Sequence, residues 1–277
     1  RKLQAASRSN LGLAYMGQGD AKSAVRHYEQ ALLIAQEIGS EEEGAILGQI
    51  GNAYRDLGDT QRALDCYEQA LSGAQALGDQ QREGSILNSM GNLYRRLGEA
   101  QRAIGLYQEA LEIMQNAGDR KGEGLVLGNL GISHRNLGDA QHAIEYFERD
   151  LSISREMGDL AGDGRALGNI ANAYRDLGDL QRSIELTEQA LAITEETGDR
   201  RAEGTALGNL ANDYRDLGET QQASRLYEQA LAITREIGDL IGTARTSMNF
   251  ALLLANHDQR SEAISLGKRC TKADPIA

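Results

Sequence analysis

ALGNIANAYRDLGD, residues 166–179, is one of five near-copies of a single phrase, the others being ILGQIGNAYRDLGD at 46–59, ILNSMGNLYRRLGE at 86–99, VLGNLGISHRNLGD at 126–139 and ALGNLANDYRDLGE at 206–219. Leu167, Ile170, Ala171 and Tyr174 fall at i, i+3, i+4 and i+7, which is one face of a helix. The same helix carries two asparagines, and asparagine is a poor helix former. Their presence on a helix therefore asks for a reason other than propensity.

Aligned on the tyrosine, the phrase recurs every 40 residues at Tyr54, Tyr94, His134, Tyr174, Tyr214 and Leu254, and Tyr15 lies one residue short of the same spacing because the loop after Gly39 has lost a position. Self-similarity of this kind denotes a repeat array. The chain reads as a single array over 1–277, with copies at approximately 1–39, 40–78, 79–118, 119–158, 159–198, 199–238 and 239–277. Each copy contains a second apolar pattern, such as Ile184, Ala190, Leu191 and Ile193, bounded by Gly178-Asp179 and Gly198-Asp199. Glycine takes the left-handed conformation that ends a helix, and aspartate caps the next one. The expected fold is all-α: a right-handed superhelical solenoid of seven helix pairs.

Composition agrees. The 277 residues are 40% hydrophobic and 25% charged, with one proline, no tryptophan and 4% aromatic residues, a mixture suited to Ala- and Leu-rich helices. The formal charge of -12 disfavours nucleic acid and anionic lipid as partners. Cys66 and Cys270 are too far apart in sequence for a disulfide framework or a Cys-X-X-Cys site, which suggests a reducing, cytoplasmic setting. No apolar run approaches the roughly 20 residues that a membrane span needs. The chain begins at Arg1 rather than Met, as a fragment of a longer protein would.

Small residues recur where paired helices must approach: Gly51, Gly91, Gly131, Ala171 and Ala211 before the tyrosine position, then Ala63, Ala103, Ala143, Ser183 and Ala223, then Ala70, Ala110, Ala190 and Ala230 after it. With the aromatics Tyr28, Tyr67, Tyr107, Phe147 and Tyr227, this order resembles the tetratricopeptide repeat. Leucine replaces the usual tryptophan (Leu47, Leu87, Leu127, Leu167, Leu207), and the usual proline late in the second helix is missing. The 40-residue wording looks like the LGN/Pins-like subtype, and the YRDLGD style leans toward bacterial arrays of similar length. Asp150 and Thr187 break the small and aromatic positions in adjacent copies; an arginine or turn amide near Asp150, or a local bend, would accommodate the former.

On the wheel of the first helix, Arg165, Asn169, Asn172 and Asp176 form a stripe opposite the apolar face, on the side that lines the concave surface of such a stack. A side-chain amide offers a donor and an acceptor together, as pairing with a peptide backbone requires. Arg55, Arg95, Arg135, Arg175 and Arg215 repeat beside the stripe and could hold carboxylates. The resemblance implies that asparagines and basic residues of the first helix grip a ligand's main chain and acidic groups, at Asn52, Asn92, Asn172 and Asn212 and at Asn129, Asn169 and Asn209. A cochaperone clamp needs lysines where Gly48, Asn88, Gly128, Gly168 and Gly208 stand, so a C-terminal Glu-Glu-Val-Asp ligand is not expected.

The expected function is a non-catalytic protein-interaction scaffold that binds an extended, acidic peptide. The residues singled out for contact are Asn52, Asn92, Asn129, Arg165, Asn169, Asn172, Arg175, Asn209, Asn212 and Arg215. Two further readings stay open: a sensor or regulatory arm of a larger signalling protein, and a self-assembling structural array. Purely structural roles also stay open, with the asparagines bonding to neighbouring helices and the arginines offsetting helix dipoles or pairing with Asp56, Asp176 and Asp216. His27, His134, His142 and His257 share no face and no metal-ligand spacing, and no nucleophile motif or phosphate loop is present, so no enzyme activity, cofactor or metal is expected. The expected state is a monomer, with end-to-end association as the alternative. Arg8 at the start, and Gly267, Lys268, Arg269, Thr271 and Lys272 before Pro275 at the end, read as polar end caps.

Overall fold

The computed structural model describes residues 1–256, and the polar cap expected at 267–275 lies outside the described residues. Thirteen helices follow one another: α1 (Lys2–Gly17), α2 (Ala21–Glu37), α3 (Glu43–Leu57), α4 (Thr60–Leu77), α5 (Gln80–Arg96), α6 (Ala100–Ala117), α7 (Arg120–Asn136), α8 (Ala140–Met157), α9 (Leu160–Asp176), α10 (Leu180–Thr197), α11 (Arg200–Asp216), α12 (Thr220–Glu236) and α13 (Leu240–Asn256). Among the described residues there is no strand, and the fold is all-α.

The punctuation works as its chemistry dictates. Twelve glycines, from Gly19 to Gly238, hold positive φ at the junctions. The aspartates that follow cap the next helix: Asp59 accepts from the Arg62 N–H, Asp179 from Arg182 and Asp199 from Ala202. Glu99 and Glu219 occupy the same position without reaching back to the backbone, because the longer side chain does not suit the cap geometry. At the shortened loop Ser40 accepts from the Glu42 N–H within the turn, and α3 begins after Glu42 with no side-chain cap.

The chain divides into two compact units, Arg1–Leu137 and Gly138 onward, and the division falls inside the fourth copy. In the first unit α1 to α7 each pack on the helices before and after, and the odd-numbered α3, α5 and α7 also touch in series. In the second unit α8 to α13 do the same, with α9, α11 and α13 in series. Each unit is therefore a stack of helix pairs in which the first helices of the copies lie side by side.

The close approaches predicted for small residues are real. A Cβ on Gly51 would lie 2.6 Å from the Tyr67 ring, and one on Gly91 would lie 2.5 Å from Tyr107. Tyr28, Tyr67, Tyr107, Tyr227 and Phe147 are the largest fully buried side chains, so the second-helix aromatic is the central filler of each copy that has one. At the start, Arg8 is exposed as expected, but so are Leu3, Leu11 and Leu13, and α1 buries only Ala5 and Gly12.

Candidate functional site

A buried tyrosine needs a partner for its hydroxyl, and the asparagine stripe supplies one. Tyr67 Oη donates to Asn52 Oδ1 at 2.8 Å, Tyr107 to Asn92 at 3.1 Å and Tyr227 to Asn212 at 2.6 Å. The same oxygens accept from the arginine one turn later: Arg55 at 3.0 Å, Arg95 at 3.3 Å and Arg215 at 3.2 Å. Asn52, Asn92 and Asn212 are thus the centres of Tyr–Asn–Arg clusters that join the two helices of one copy. Burial pushes the phenols of Tyr67 and Tyr227 up to about 12, so the hydroxyl is a lasting donor. The Nδ2 groups of these asparagines make no hydrogen bond among the described residues.

Other members of the stripe fasten neighbouring first helices. Asn129 Nδ2 donates to Asn88 Oδ1 at 2.8 Å, joining α5 to α7, and Ser9 Oγ donates to Gln49 at 2.7 Å, joining α1 to α3. Both bonds link one register position of a copy to the adjacent position of the next. At that register α11 carries Asn209 and α9 carries Gly168, which has no side chain to offer. Asn209 and Asn169 make no side-chain hydrogen bond among the described residues.

The arginine ladder divides too. Arg55 and Arg215 fold onto Asp56 and Asp216 of their own helices, at 3.1 and 2.8 Å, and Arg96 reaches Asp56 across copies at 3.3 Å. Arg175, only 18% exposed, lies 3.5 Å from Asp213, which is fully buried on α11. Asp213 stands where other copies carry Ala53 or Ala173, and it also accepts from the Ser183 hydroxyl at 2.8 Å. Burial raises the Asp213 carboxyl above the usual range, against the pull of Ser183 and Arg175. The sequence reading missed this cluster: Ser183 passes as one of the recurring small residues, and Asp213 alone departs from the uncharged residues Ala53, Leu93, Ser133 and Ala173 of its position.

Two grooves open along the stripe. In the first unit a cavity of about 380 Å³ is lined by α3, α4 and α5, including Gly48, Gln49, Asn52, Tyr67, Arg82 and Ser89. In the second a cavity of about 410 Å³ lies among α9, α10 and α11. The α9 wall carries Gly164, Arg165, Gly168, Asn169 and Asn172, and α11 carries Arg201, Thr205, Ala206 and Asn209. Its α10 wall contains Thr187, Ala190 and Ile193. Four of the ten expected contact residues, Arg165, Asn169, Asn172 and Asn209, therefore converge on one site. Asn172 is engaged on both ends, donating to the Gly168 carbonyl at 2.8 Å and accepting from Arg175 at 2.6 Å.

Arg165 is half exposed at the edge of this cavity and lies 4.0 Å from Asp150, whose carboxylate is 2% exposed. An arginine, rather than a turn amide or a bend, is the counter-charge of Asp150. It is a weak one: burial together with the charges of Asp159 and Asp163 holds the Asp150 carboxyl at about 6, despite Arg165. Among the described residues no helix is long and apolar enough to cross a membrane.

The tetratricopeptide repeat family model matches residues 3–76, 82–156, 163–236 and 205–275. No curated protein matches the sequence. Among solved structures, the apo form of the quorum sensor NprR from B. thuringiensis superposes with TM-score 0.80 at 15% identity, over 95% of this chain and 74% of that one. Aspartyl phosphate phosphatase F from Bacillus subtilis gives 0.78 at 14%, over 99% and 71%. A Signal Transduction ATPase with Numerous Domains protein with a tetratricopeptide repeat sensor, from Pyrococcus horikoshii, gives 0.75 at 16% over 95% of this chain, which spans only 41% of that protein. At these identities the structures share the fold alone. The family model covers most of the sequence, and the chain belongs to the tetratricopeptide repeat family.

Proposed function

We propose that the chain is a non-catalytic binding scaffold, one continuous array, that holds an extended peptide segment of a partner protein along the first-helix stripe. The observation that carries this reading is the cavity among α9, α10 and α11, lined by Asn169 and Asn209, whose amides make no hydrogen bond among the described residues. Two amides on neighbouring helices offer the alternating donors and acceptors that a peptide main chain needs. Arg165 and Arg201 at the cavity favour acidic side chains in the ligand. The LGN/Pins-like wording supports the same placement, and a cytoplasmic setting suits a protein with this cysteine usage.

An array of synthetic 15-residue peptides, acidic and neutral, tests the proposal. The intact protein should select acidic peptides. The N169A/N209A double variant should lose at least tenfold in affinity with unchanged helicity, and R165A should lose the acidic preference; equal selection by all three proteins would refute the reading.

A second reading has its own support. The chain aligns to two fifths of a signalling ATPase whose name includes a tetratricopeptide repeat sensor, and it aligns to a quorum sensor. As the sensor arm of a larger protein, the same groove would take a segment of that protein itself. A self-assembling array is the third, and the exposed Leu3, Leu11 and Leu13 of α1 favour it; sedimentation at rising concentration separates it from the others.

A further inference from the structure

This inference rests on the peptide-binding reading and narrows it to one side chain of the peptide. Two bonds tie neighbouring first helices at a single register: Ser9 of α1 to Gln49 of α3, and Asn88 of α5 to Asn129 of α7. Two other pairs of first helices put glycine where Ser9 and Asn88 stand. They are Gly48 of α3 before Ser89 of α5, and Gly168 of α9 before Asn209 of α11. The two cavities lie at these places, the first lined by Gly48 and Ser89 and the second by Gly168 and Asn209. A Cβ built on either glycine would meet nothing within 4 Å. Each groove is therefore open where the link between copies is left out.

The two gaps differ in what they leave unmet. Ser89 spends its hydroxyl on the Ser85 carbonyl at 3.0 Å, within its own helix. Asn209 is half-buried, and its amide makes no hydrogen bond among the described residues. Such an amide asks for both an acceptor and a donor. Asn88 gives Asn129 an amide partner, its Oδ1 accepting at 2.8 Å. A carboxylate would leave the Asn209 oxygen without a donor, and Arg165 and Arg201 in the same lining are the better partners for carboxylates. We propose that the bound peptide supplies the missing link: an asparagine or glutamine side chain enters beside Gly168 and pairs with the Asn209 amide, as Asn88 pairs with Asn129.

Gly168 then sets this preference, because an amide in its place would take Asn209 for the chain itself. Gly168→Asn builds that internal link; there is room for its Cβ, and asparagine is a better helix former than glycine, so the variant folds. Gly168→Ala adds a methyl group and no amide, and is the control.

The peptide array tests the inference. With the intact protein, changing the asparagine or glutamine of a selected peptide to leucine, or to the matching acid, should weaken binding about fivefold or more. Gly168→Ala should keep that dependence. Gly168→Asn should bind the selected peptides about fivefold more weakly and no longer distinguish them from the changed ones. Selected peptides that tolerate both changes overturn the inference while the peptide-binding reading stands, and so does an undiminished dependence in Gly168→Asn. Should the array select no peptide, propionamide and propionate take its place. The reading is then the Asn209 side-chain NH2 signal in nitrogen–proton correlation spectra, identified by its absence in Asn209→Ala. A signal moved by propionamide, not by propionate, and unmoved in Gly168→Asn supports the pairing while the peptide reading fails. Any other response overturns both.

Discussion

The groove of the second copy and that of the fifth are built on the same helix pair, yet they differ in what their floor does. In the second, Tyr67, Asn52 and Arg55 close on one another and seal the hairpin. In the fifth, the Thr187 hydroxyl bonds to the Ser183 carbonyl, and Asn172 bonds within its own helix instead. One side chain separates a structural cluster from a candidate site, so an asparagine's place on the groove does not decide whether it serves the fold or a ligand.

Changing Tyr67→Thr should carry the second copy toward the fifth. Loss of a fully buried ring should cost about 3–5 kcal/mol, read by urea denaturation. A cost below about 1 kcal/mol would break the comparison, since the tyrosine would then be no structural filler.

The next effect belongs to Asp150 of the fourth copy, the partner of Arg165 on the fifth copy's rim, and has the opposite sign. The second and third copies carry Ala70 and Ala110 where Asp150 stands. The folded-state value of about 6 for Asp150 lies above its ordinary 3.8, so the folded chain holds the proton more tightly than the unfolded chain. By linkage, stability from this group falls as pH rises between those values, and the cost is fully present at neutral pH. Asp150→Ala should therefore stabilise by up to about 3 kcal/mol at pH 7, with the gain gone below about pH 4. Thermal unfolding of both proteins across pH 4–8 checks the slope.

Asparagine truncation sharpens the contrast further. Asn52→Ala strands the Tyr67 hydroxyl and should cost about 1–3 kcal/mol, whereas Asn172→Ala strands no buried phenol and should cost about 1 kcal/mol or less. Equal costs in denaturation would remove the distinction between the copies. The smallest effects concern the links between first helices: Asn129→Ala should cost about 1 kcal/mol, and Asn209→Ala less than about 0.5 kcal/mol while weakening peptide binding.

The period, helix pairs and junctions were all legible in the sequence, because glycine and aspartate act locally and apolar spacing reports one helix at a time. The stripe was legible as a place but not as a set of bonds. Asn52 and Tyr67, Asn92 and Tyr107, and Asn212 and Tyr227 are each 15 residues apart, and that pairing was open to view. Its meaning depends on how two helices dock, which spacing along one helix does not contain. Asp213 was invisible for the same reason: its partners Ser183 and Arg175 lie on two other helices. Thr187 was visible as a departure, but that it would leave Asn172 to bond within its own helix follows only from packing.

The Tyr–Asn cluster has a consequence for how such a protein changes over generations. Every copy with this arrangement spends an amide oxygen of its first helix on its own tyrosine and arginine. A substitution at that one position releases the oxygen for another partner, as at Asn172, and the reverse substitution elsewhere engages one again. The address of the ligand can then migrate along the chain in 40-residue steps while the scaffold is inherited unchanged.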